Sequence, residues 1–290
     1  MTAAALGERR AAVEAALDEA LPPETVWPAT LNRAMRYSVF AGGKRIRPLL
    51  ALGACEAVGG EWRRALPFAC ALELVHTFSL VHDDLPAMDD DDLRRGRPTS
   101  HKVFGEAIAI LAGDALLARA FQVLLPAGKA ATHAEIAALL SEAASGAGLI
   151  GGQVEDMESE GRDVAATALE RIHSAKTGAL IHAAVRGGGL VAGASAGALE
   201  RLDRFGRAIG VAFQVVDDVL DATEDAATLG KTAGKDKAAK KATYVRVHGL
   251  EAARARATAL RDEALDAIAP FAAQGLVLET LARMIVDRRA

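Results

Sequence analysis

The sequence is poor in aromatic residues and cysteine. Aromatic residues make up 4% of the chain although 51% of it is apolar, and Ala and Leu supply most of that apolar fraction. These two residues favour helices, whereas sheets favour β-branched and aromatic side chains. The two cysteines, Cys55 and Cys70, stand in apolar segments, which predicts reduced thiols in the core and not a disulfide. The composition therefore argues against a sheet-rich fold and against a disulfide scaffold.

The charge pattern argues against a nucleic-acid partner, an export signal and a membrane span. The net charge is −4 and the isoelectric point is about 6.0, so no general affinity for nucleic acid is expected. Residues 1–20 carry four acidic side chains, unlike a signal peptide or an acid-poor transit peptide. The longest uncharged stretches, such as residues 187–199, are shorter than the ~20 apolar residues of a membrane span. We therefore expect a cytoplasmic protein with no membrane span.

Helical periodicity recurs along the chain, and no segment shows convincing strand alternation. No linker, low-complexity tract or charge block divides the sequence, so residues 1–290 are predicted to form a single all-α domain, with helices packed around a central cavity. Glycine and proline, including Gly187-Gly188-Gly189, are interpreted as breaks, and Gly189, Gly193 and Gly197 as a loop. The predicted helices cover residues 4–20, 28–41, 46–58, 64–84, 106–125, 134–145, 148–158, 167–188, 198–222, 249–268 and 275–288.

Two aspartate clusters are the most informative feature of the chain. Residues 81–92 read Val-His-Asp-Asp-Leu-Pro-Ala-Met-Asp-Asp-Asp-Asp, and residues 213–221 read Phe-Gln-Val-Val-Asp-Asp-Val-Leu-Asp. Each cluster ends an apolar run. A like-charged pair at ~4 Å costs about 4 kcal/mol at an effective dielectric near 20, so such crowding needs a compensating charge. Magnesium ions, which favour a few carboxylates together with substrate phosphates, are the natural candidates.

The spacing of the aspartates predicts which carboxylates converge. Asp217 and Asp221 are four residues apart and share one face of a helix. Asp83 and Asp89 are six apart, and Pro86 between them is expected to end or bend the helix so that Asp89 folds back. The alternative is a solvated acidic helix end. The solvated alternative fits three of the aspartates better than a metal site does, because they are expected to lead into a surface loop: Asp90, Asp91 and Asp92.

Basic residues suited to phosphate accompany the acidic clusters. Segment 42–48, Gly-Gly-Lys-Arg-Ile-Arg-Pro, places three cations beside a glycine pair, and glycine lets backbone approach a ligand closely. Arg94 and Arg95 follow the first cluster and act either as counter-charges or as phosphate ligands. His76 lies seven residues before Asp83, which puts both on the same side of a helix. A looser set comprises Lys176, Thr177, Gln214, Lys231 and Lys241.

Taken together, these residues resemble the polyprenyl synthetase family of trans-isoprenyl diphosphate synthases, and most closely its bacterial farnesyl diphosphate synthases. The run at residues 82–96 resembles the first aspartate-rich motif in its bacterial form, and residues 213–221 resemble the second. The first of these motifs lies within a longer matching stretch at 73–101, and further matching stretches lie at 42–48, 113–116, 151–157, 171–186 and 228–244. Together they extend over about 200 residues in the expected order.

The resemblance implies the isoprenoid synthase fold, a homodimer and three Mg²⁺ ions, with Mn²⁺ as an alternative metal. Asp83, Asp89 and Asp217 would hold the metals, supported by Asp84 and Asp221, with Asp218 also in the catalytic set. The side chains that match allylic diphosphate ligands are Arg94, Lys176, Thr177, Gln214, Lys231 and Lys241. Those that match isopentenyl diphosphate ligands are Lys44, Arg47, His76 and Arg95.

The implied reaction condenses isopentenyl diphosphate with dimethylallyl or geranyl diphosphate to give farnesyl diphosphate. Phe78, five residues before Asp83, would be the floor that stops the growing chain, although ordinary core packing is the alternative. Other product lengths such as geranylgeranyl, a terpene cyclase and a non-catalytic subunit are alternatives. Lys241-Ala242-Thr243-Tyr244-Val245 departs from the family pattern and leaves open whether Lys240 or Lys241 contacts diphosphate.

Overall fold

Helices make up almost all regular structure in the computed structural model, which describes residues 3–124, 130–162, 164–223 and 243–287. The first half contains α1 (Ala3–Ala20), α2 (Ala29–Val39), α3 (Ile46–Ala57), a 3₁₀ turn (Trp62–Ala65), α4 (Leu66–Asp83), β1 (Leu93–Arg94), β2 (Arg97–Pro98), α5 (Ser100–Phe104) and α6 (Glu106–Leu124). The second half contains α7 (Ala130–Ala144), α8 (Leu149–Ser159), α9 (Ala166–Ile172), a π-helix (His173–Gly178), α10 (Ala179–Val191), α11 (Ala196–Thr223), α12 (Tyr244–His248), α13 (Leu250–Ile268), a 3₁₀ segment (Ala269–Gly275) and α14 (Leu276–Val286).

The all-α prediction is confirmed, with local differences. β1 and β2 form a small antiparallel ribbon that sequence alternation did not reveal, because each strand is two residues long. The short helices α5 and α12 were not predicted. A π-helix separates α9 from α10, where one continuous helix was expected.

The interpretation of the glycine-rich stretch as a break was wrong. Gly187, Gly188 and Gly189 lie inside α10, buried against neighbouring helices. A Cβ at Gly187 would lie 2.3 Å from the Phe68 ring, and one at Gly188 would lie 2.2 Å from the Ala51 carbonyl oxygen. The glycines therefore let α3 and α4 pack closely on α10. Of the predicted loop glycines, only Gly193 lies in a turn, because Gly197 belongs to α11.

Two buried helices carry the acidic clusters. α4 is buried along most of its length and ends at Asp83. α11 packs against α10 and α13, and it carries Asp217, Asp218 and Asp221 near its C-terminal end. Most core residues belong to one apolar cluster, and a second apolar cluster, which includes Val215, Val216 and Tyr244, surrounds the end of α11. Burial of apolar surface thus fixes both aspartate-bearing helices.

Among the residues that the structure describes, three helical segments are long and apolar enough, by length and composition alone, to cross a membrane: Trp62–Asp83, Glu106–Leu124 and Leu250–Val286. The expectation from uncharged runs did not identify them, because each tolerates an occasional charge. In Trp62–Asp83, 72% of the apolar window is buried within the fold, so its apolarity serves the core. The corresponding share is 33% in Glu106–Leu124, which leaves much of α6 exposed.

Candidate active site

The first aspartate cluster forms a tight turn at the end of α4. The helix ends at Asp83, and beyond Pro86 the chain folds back so that the Asp89 amide donates to the Asp83 carbonyl at 2.8 Å. This is the path expected from Pro86. Burial raises the pKa of Asp83 to about 6; the charge of Lys176 opposes this rise and that of Asp89 adds to it. Crowding of the carboxylates therefore exists in the fold.

The adjacent residue, Asp84, has a different environment. It is 4% exposed and forms a forked ion pair with Arg94, in which Nε contacts the two carboxylate oxygens at 2.7 and 2.9 Å. Arg94 Nη2 also lies 3.8 Å from Asp91 Oδ2. Arg94 is thus a counter-charge of the first cluster, and Asp84 fixes its direction.

The π-helix brings two predicted site residues together with α11. Thr177 Oγ1 donates to Gln214 Oε1 at 2.9 Å, and Gln214 Nε2 donates to Asp218 Oδ1 at 3.0 Å. Lys176 Nζ donates to Asp156 Oδ2 at 2.6 Å. Because the charge of Lys176 also acts on Asp83, the π-helix connects the first cluster with the second. π-Helical turns of this kind are frequent at functional sites.

Asp218 lies inside the protein. It is 5% exposed, accepts the Tyr244 amide at 2.6 Å, and lies 3.5 Å from His173 Nε2. Burial raises its pKa to about 7, although the hydrogen bonds from Tyr244 and Gln214 act in the opposite direction. Asp217 and Asp221 share a helix face as predicted and are half-buried. The second cluster therefore divides into an interior residue and two residues nearer to solvent.

A cluster of basic side chains around Arg47, His76 and Arg95, called the arginine-rich pocket below, lies beside these carboxylates. The Arg47 guanidinium is 5.9 Å from the ring centre of Phe213, the residue before Gln214. Desolvation, followed by the charges of Arg47 and Arg95, lowers the pKa of His76 well below its ordinary value. Arg95 Nη1 donates to the Gly42 carbonyl of the loop that carries the exposed Lys44. The structure thus places the predicted isopentenyl diphosphate ligands around one region, next to α11.

The interpretation of segment 42–48 as three phosphate-facing cations was wrong for Arg45. Its side chain is 1% exposed and contacts Glu73 at 2.7 Å and Glu14 at 2.8 Å. It also donates to the Val39 carbonyl at 2.8 Å. Arg45 is therefore a structural residue, whereas the Arg47 guanidinium lies 5.9 Å from the ring centre of Phe213.

Phe78 lies in α4, which packs along α6, and the contact between these two helices is called the α4–α6 wall here. It is 6% exposed, and its ring meets the edge of His82 with centroids 5.3 Å apart. His82 Nε2 lies 3.0 Å from the Ile110 carbonyl of α6. The position agrees both with a floor for an apolar chain and with ordinary core packing.

Other predicted residues fall elsewhere. Lys231, Lys240 and Lys241 lie outside the described residues. Asp90 and Asp92 are exposed and lie within 4.8 Å of a ring nitrogen of His101 through carboxylate oxygens, while Asp92 also pairs with Lys102 at 2.7 Å. This agrees with the surface-loop interpretation of these aspartates.

Two residues of the site region were not singled out from sequence. Asp156 pairs with Lys176, and Glu73 pairs with Arg45. A partial signal existed for both, because each lies in a stretch that carried the family resemblance. Nothing in their spacing indicated a partner.

The comparison with known proteins decides the family. A family model described as Polyprenyl synthetase matches residues 28–272. The chain belongs to the polyprenyl synthetase family. It is 48% identical over 98% of its length to a dimethylallyltranstransferase from Fischerella ambigua, 82% of which is covered. It is 50% identical over 89% of its length to the large subunit 1 of a heterodimeric geranylgeranyl pyrophosphate synthase from Arabidopsis thaliana, 71% of which is covered.

The fold comparison gives the same result. A geranyltransferase from Helicobacter pylori, solved in complex with magnesium and isoprenyl diphosphate, superimposes with a TM-score of 0.84 at 31% identity. The match covers 99% of this chain and 98% of that one. The polyprenyl synthetase chain described here thus has the isoprenoid synthase fold and is a trans-prenyltransferase.

The donor set of this family member suits magnesium. Asp83, Asp89, Asp217 and Asp221 are half-buried and carry carboxylate oxygens, the ligand type that hard cations prefer. The raised pKa of Asp83 reports a carboxylate whose charge the surrounding protein does not fully compensate. A bound cation would supply that compensation.

Proposed function

We propose that this prenyltransferase condenses isopentenyl diphosphate with dimethylallyl or geranyl diphosphate and releases farnesyl diphosphate and diphosphate. The observation that carries this proposal is the contact between Arg47 and Phe213, which joins an arginine-rich pocket to the helix of the second aspartate cluster. Two diphosphate-binding regions side by side suit a reaction between two diphosphates. A terpene cyclase has one diphosphate substrate and needs no such second pocket.

The acidic region would bind the allylic substrate. Asp83, Asp89 and Asp217 would hold Mg²⁺, three ions in the proposal, with Asp221 in support. Magnesium bound there would neutralise the diphosphate that leaves the allylic carbon. Lys176 and Arg94 contribute fixed positive charge to the same diphosphate. The Thr177 hydroxyl donates to Gln214, so its oxygen lone pairs remain to stabilise an allylic cation.

The arginine-rich pocket would bind isopentenyl diphosphate. Arg47 and Arg95 offer forked donors that match diphosphate oxygens, and Lys44 adds a point charge. His76 is held neutral and donates from its ring without adding to the repulsion among the arginines. The double bond of this substrate attacks the allylic cation, and the departed diphosphate is the proposed base for the final proton.

The proposed product has fifteen carbons. Phe78 on the α4–α6 wall supports a fifteen-carbon product, because an aromatic ring there would close the floor of the pocket. Geranylgeranyl diphosphate is the second candidate. It is favoured by relatives such as the Arabidopsis large subunit, which is named for that product and is 50% identical.

A homodimer is also part of the proposal, together with a cytoplasmic location. Ile110 and Leu111 on α6 are 43% and 52% exposed, and the same helix has the largest mean hydropathy of the long apolar helices among the described residues. A second copy would cover this face. Light scattering should give the mass of a dimer, and Leu111→Glu should shift it towards the monomer.

The decisive experiment is incubation with isopentenyl and geranyl diphosphates, with and without Mg²⁺, followed by chromatography of the dephosphorylated products. Farnesol that appears only with Mg²⁺ supports the proposal. Geranylgeraniol supports the second candidate. Absence of condensation in the presence of Mg²⁺ overturns the proposed function.

A further inference from the structure

Asp156 and Lys176 form an ion pair beside the first aspartate cluster. Lys176 Nζ lies 2.6 Å from Asp156 Oδ2, and the two side chains are 25% and 16% exposed. The residues belong to different elements, α8 and the π-helix, and are 20 positions apart in sequence. The pair is thus a tertiary contact and not a consequence of helical spacing.

The packing of α8 against the π-helix explains how the pair forms. A Cβ at Gly152 would lie 2.2 Å from the Lys176 backbone nitrogen, so glycine is required for this approach. Asp156 follows Gly152 by four residues and lies on the same face of α8. The backbone contact and the carboxylate therefore both fix Lys176 from the same side.

The positive charge of Lys176 also acts on the first cluster. Among the charges that act on Asp83, that of Lys176 has the largest effect and lowers the pKa of Asp83. Lysine has a long side chain with many rotamers, so holding its ammonium in one place costs conformational entropy. A second carboxylate behind the lysine reduces that freedom before substrate binds.

We propose that Asp156 is a positioning residue, which holds the Lys176 ammonium beside the first aspartate cluster where the allylic diphosphate binds. This rests on the proposed function for the role of Lys176. Asp156 does not touch the reacting atoms; it acts through Lys176. The neighbouring pair Glu155–Arg171 joins α8 to α9, the helix that directly precedes the π-helix, at the surface, where Arg171 is 64% exposed, and provides a matched control.

The first test is kinetic. Asp156→Asn should raise the KM for geranyl diphosphate about tenfold, the loss of one charge-assisted contact converted at about 1.4 kcal/mol per decade. The KM for isopentenyl diphosphate should not change, and Glu155→Gln should resemble the wild type in both. Asp156→Glu, which restores the charge, should recover much of the loss. In a Lys176→Gln background, Asp156→Asn should add nothing further. Circular dichroism and the melting temperature identify a variant that fails to fold.

The second test does not depend on catalysis. An amine-acylating reagent, followed by peptide mass spectrometry, should modify Lys176 faster in Asp156→Asn than in the wild type or in Glu155→Gln. Unchanged Lys176 reactivity, or additive effects in the double variant, would overturn the positioning role while leaving the proposed function in place. A wild-type protein without condensation activity would overturn the proposed function, and with it this role, even if the ion pair were confirmed by acylation.

Discussion

Asp83 and Asp84 are adjacent in sequence and have opposite surroundings. Asp84 is bound by Arg94, whose Nη2 lies 2.5 Å from its Oδ1, whereas Asp83 borders Asp89. Burial raises the pKa of both carboxyls, and in Asp84 the hydrogen bond from Arg94 opposes that rise. The Asp84 carboxylate is thus compensated within the protein. The Asp83 carboxylate is the better candidate for a metal ligand.

Substitutions of Asp83 and Asp84 should reduce activity to different extents. Asp83→Asn should abolish most turnover without loss of helicity, because it removes a proposed metal ligand and relieves repulsion. Asp84→Asn should lower kcat/KM about ten- to a hundredfold, as substitutions behind metal ligands do. Condensation assays with circular dichroism would measure both effects. Near-normal activity of Asp83→Asn would refute the assignment.

The arginine-rich pocket should govern one substrate. Arg47→Ala and His76→Ala should each raise the KM for isopentenyl diphosphate about ten- to a hundredfold, the range for a lost hydrogen bond to a charged group. The KM for geranyl diphosphate should change much less. Arg171→Ala, a surface arginine, is the control. Equal weakening of both substrates would contradict the division into two pockets.

Phe78 should set the product length. Phe78→Ala should open the wall between α4 and α6 and shift the product to twenty carbons or more. The loss of a buried ring costs ~3–5 kcal/mol, so Phe78→Leu is a milder companion. Phe68→Leu, at a buried position of the same helix, should leave the product unchanged. If folded Phe78 variants keep the wild-type product, the residue that limits chain length lies elsewhere. A twenty-carbon product from the wild type would overturn the farnesyl assignment.

The buried pair Arg45–Glu73 should matter for stability. Glu73→Gln leaves Arg45, whose side chain is 1% exposed, with one charged partner fewer. Breaking a buried ion pair in this way lowers the free energy of unfolding by about 3–5 kcal/mol. The remaining contact with Glu14 places the expected loss near the lower limit. Denaturant unfolding measures it. Arg63→Ala, which breaks an exposed pair with Glu8, should cost less than about 1 kcal/mol; similar losses in the two variants would contradict the buried role.

Asp218 should make stability fall as pH rises. Burial raises its pKa from 3.8 to about 7, so the folded protein keeps a proton that the unfolded chain releases. Its contribution is complete below pH 3.8 and is lost as the pH approaches 7. His173 titrates in the opposite sense, since burial lowers its pKa to about 4. Both variants in the test therefore lack His173, so that its titration does not mask that of Asp218. The difference in melting temperature between His173→Gln and His173→Gln/Asp218→Asn should change from about pH 4 to about pH 8. A difference that does not change with pH would exclude this titration.

Some features of this protein follow from the sequence by itself. Ala- and Leu-rich periodicity determined the helices, because helix formation depends on neighbours within a few residues. Pro86 determined the end of α4 and the return of Asp89, since proline interrupts a helix through its own geometry. The spacing of Asp217 and Asp221 determined their common face.

Other features were decided only by the tertiary structure. Arg45 and Arg47 read alike in sequence, yet Arg45 pairs with the buried Glu73 and Arg47 lies beside the Phe213 ring. The direction of a side chain depends on which helix packs opposite it, and the cost of burying an unpaired charge selects the partner. The pairing of Lys176 with Asp156 has the same origin, because a contact across 20 residues exists only once two elements have packed together.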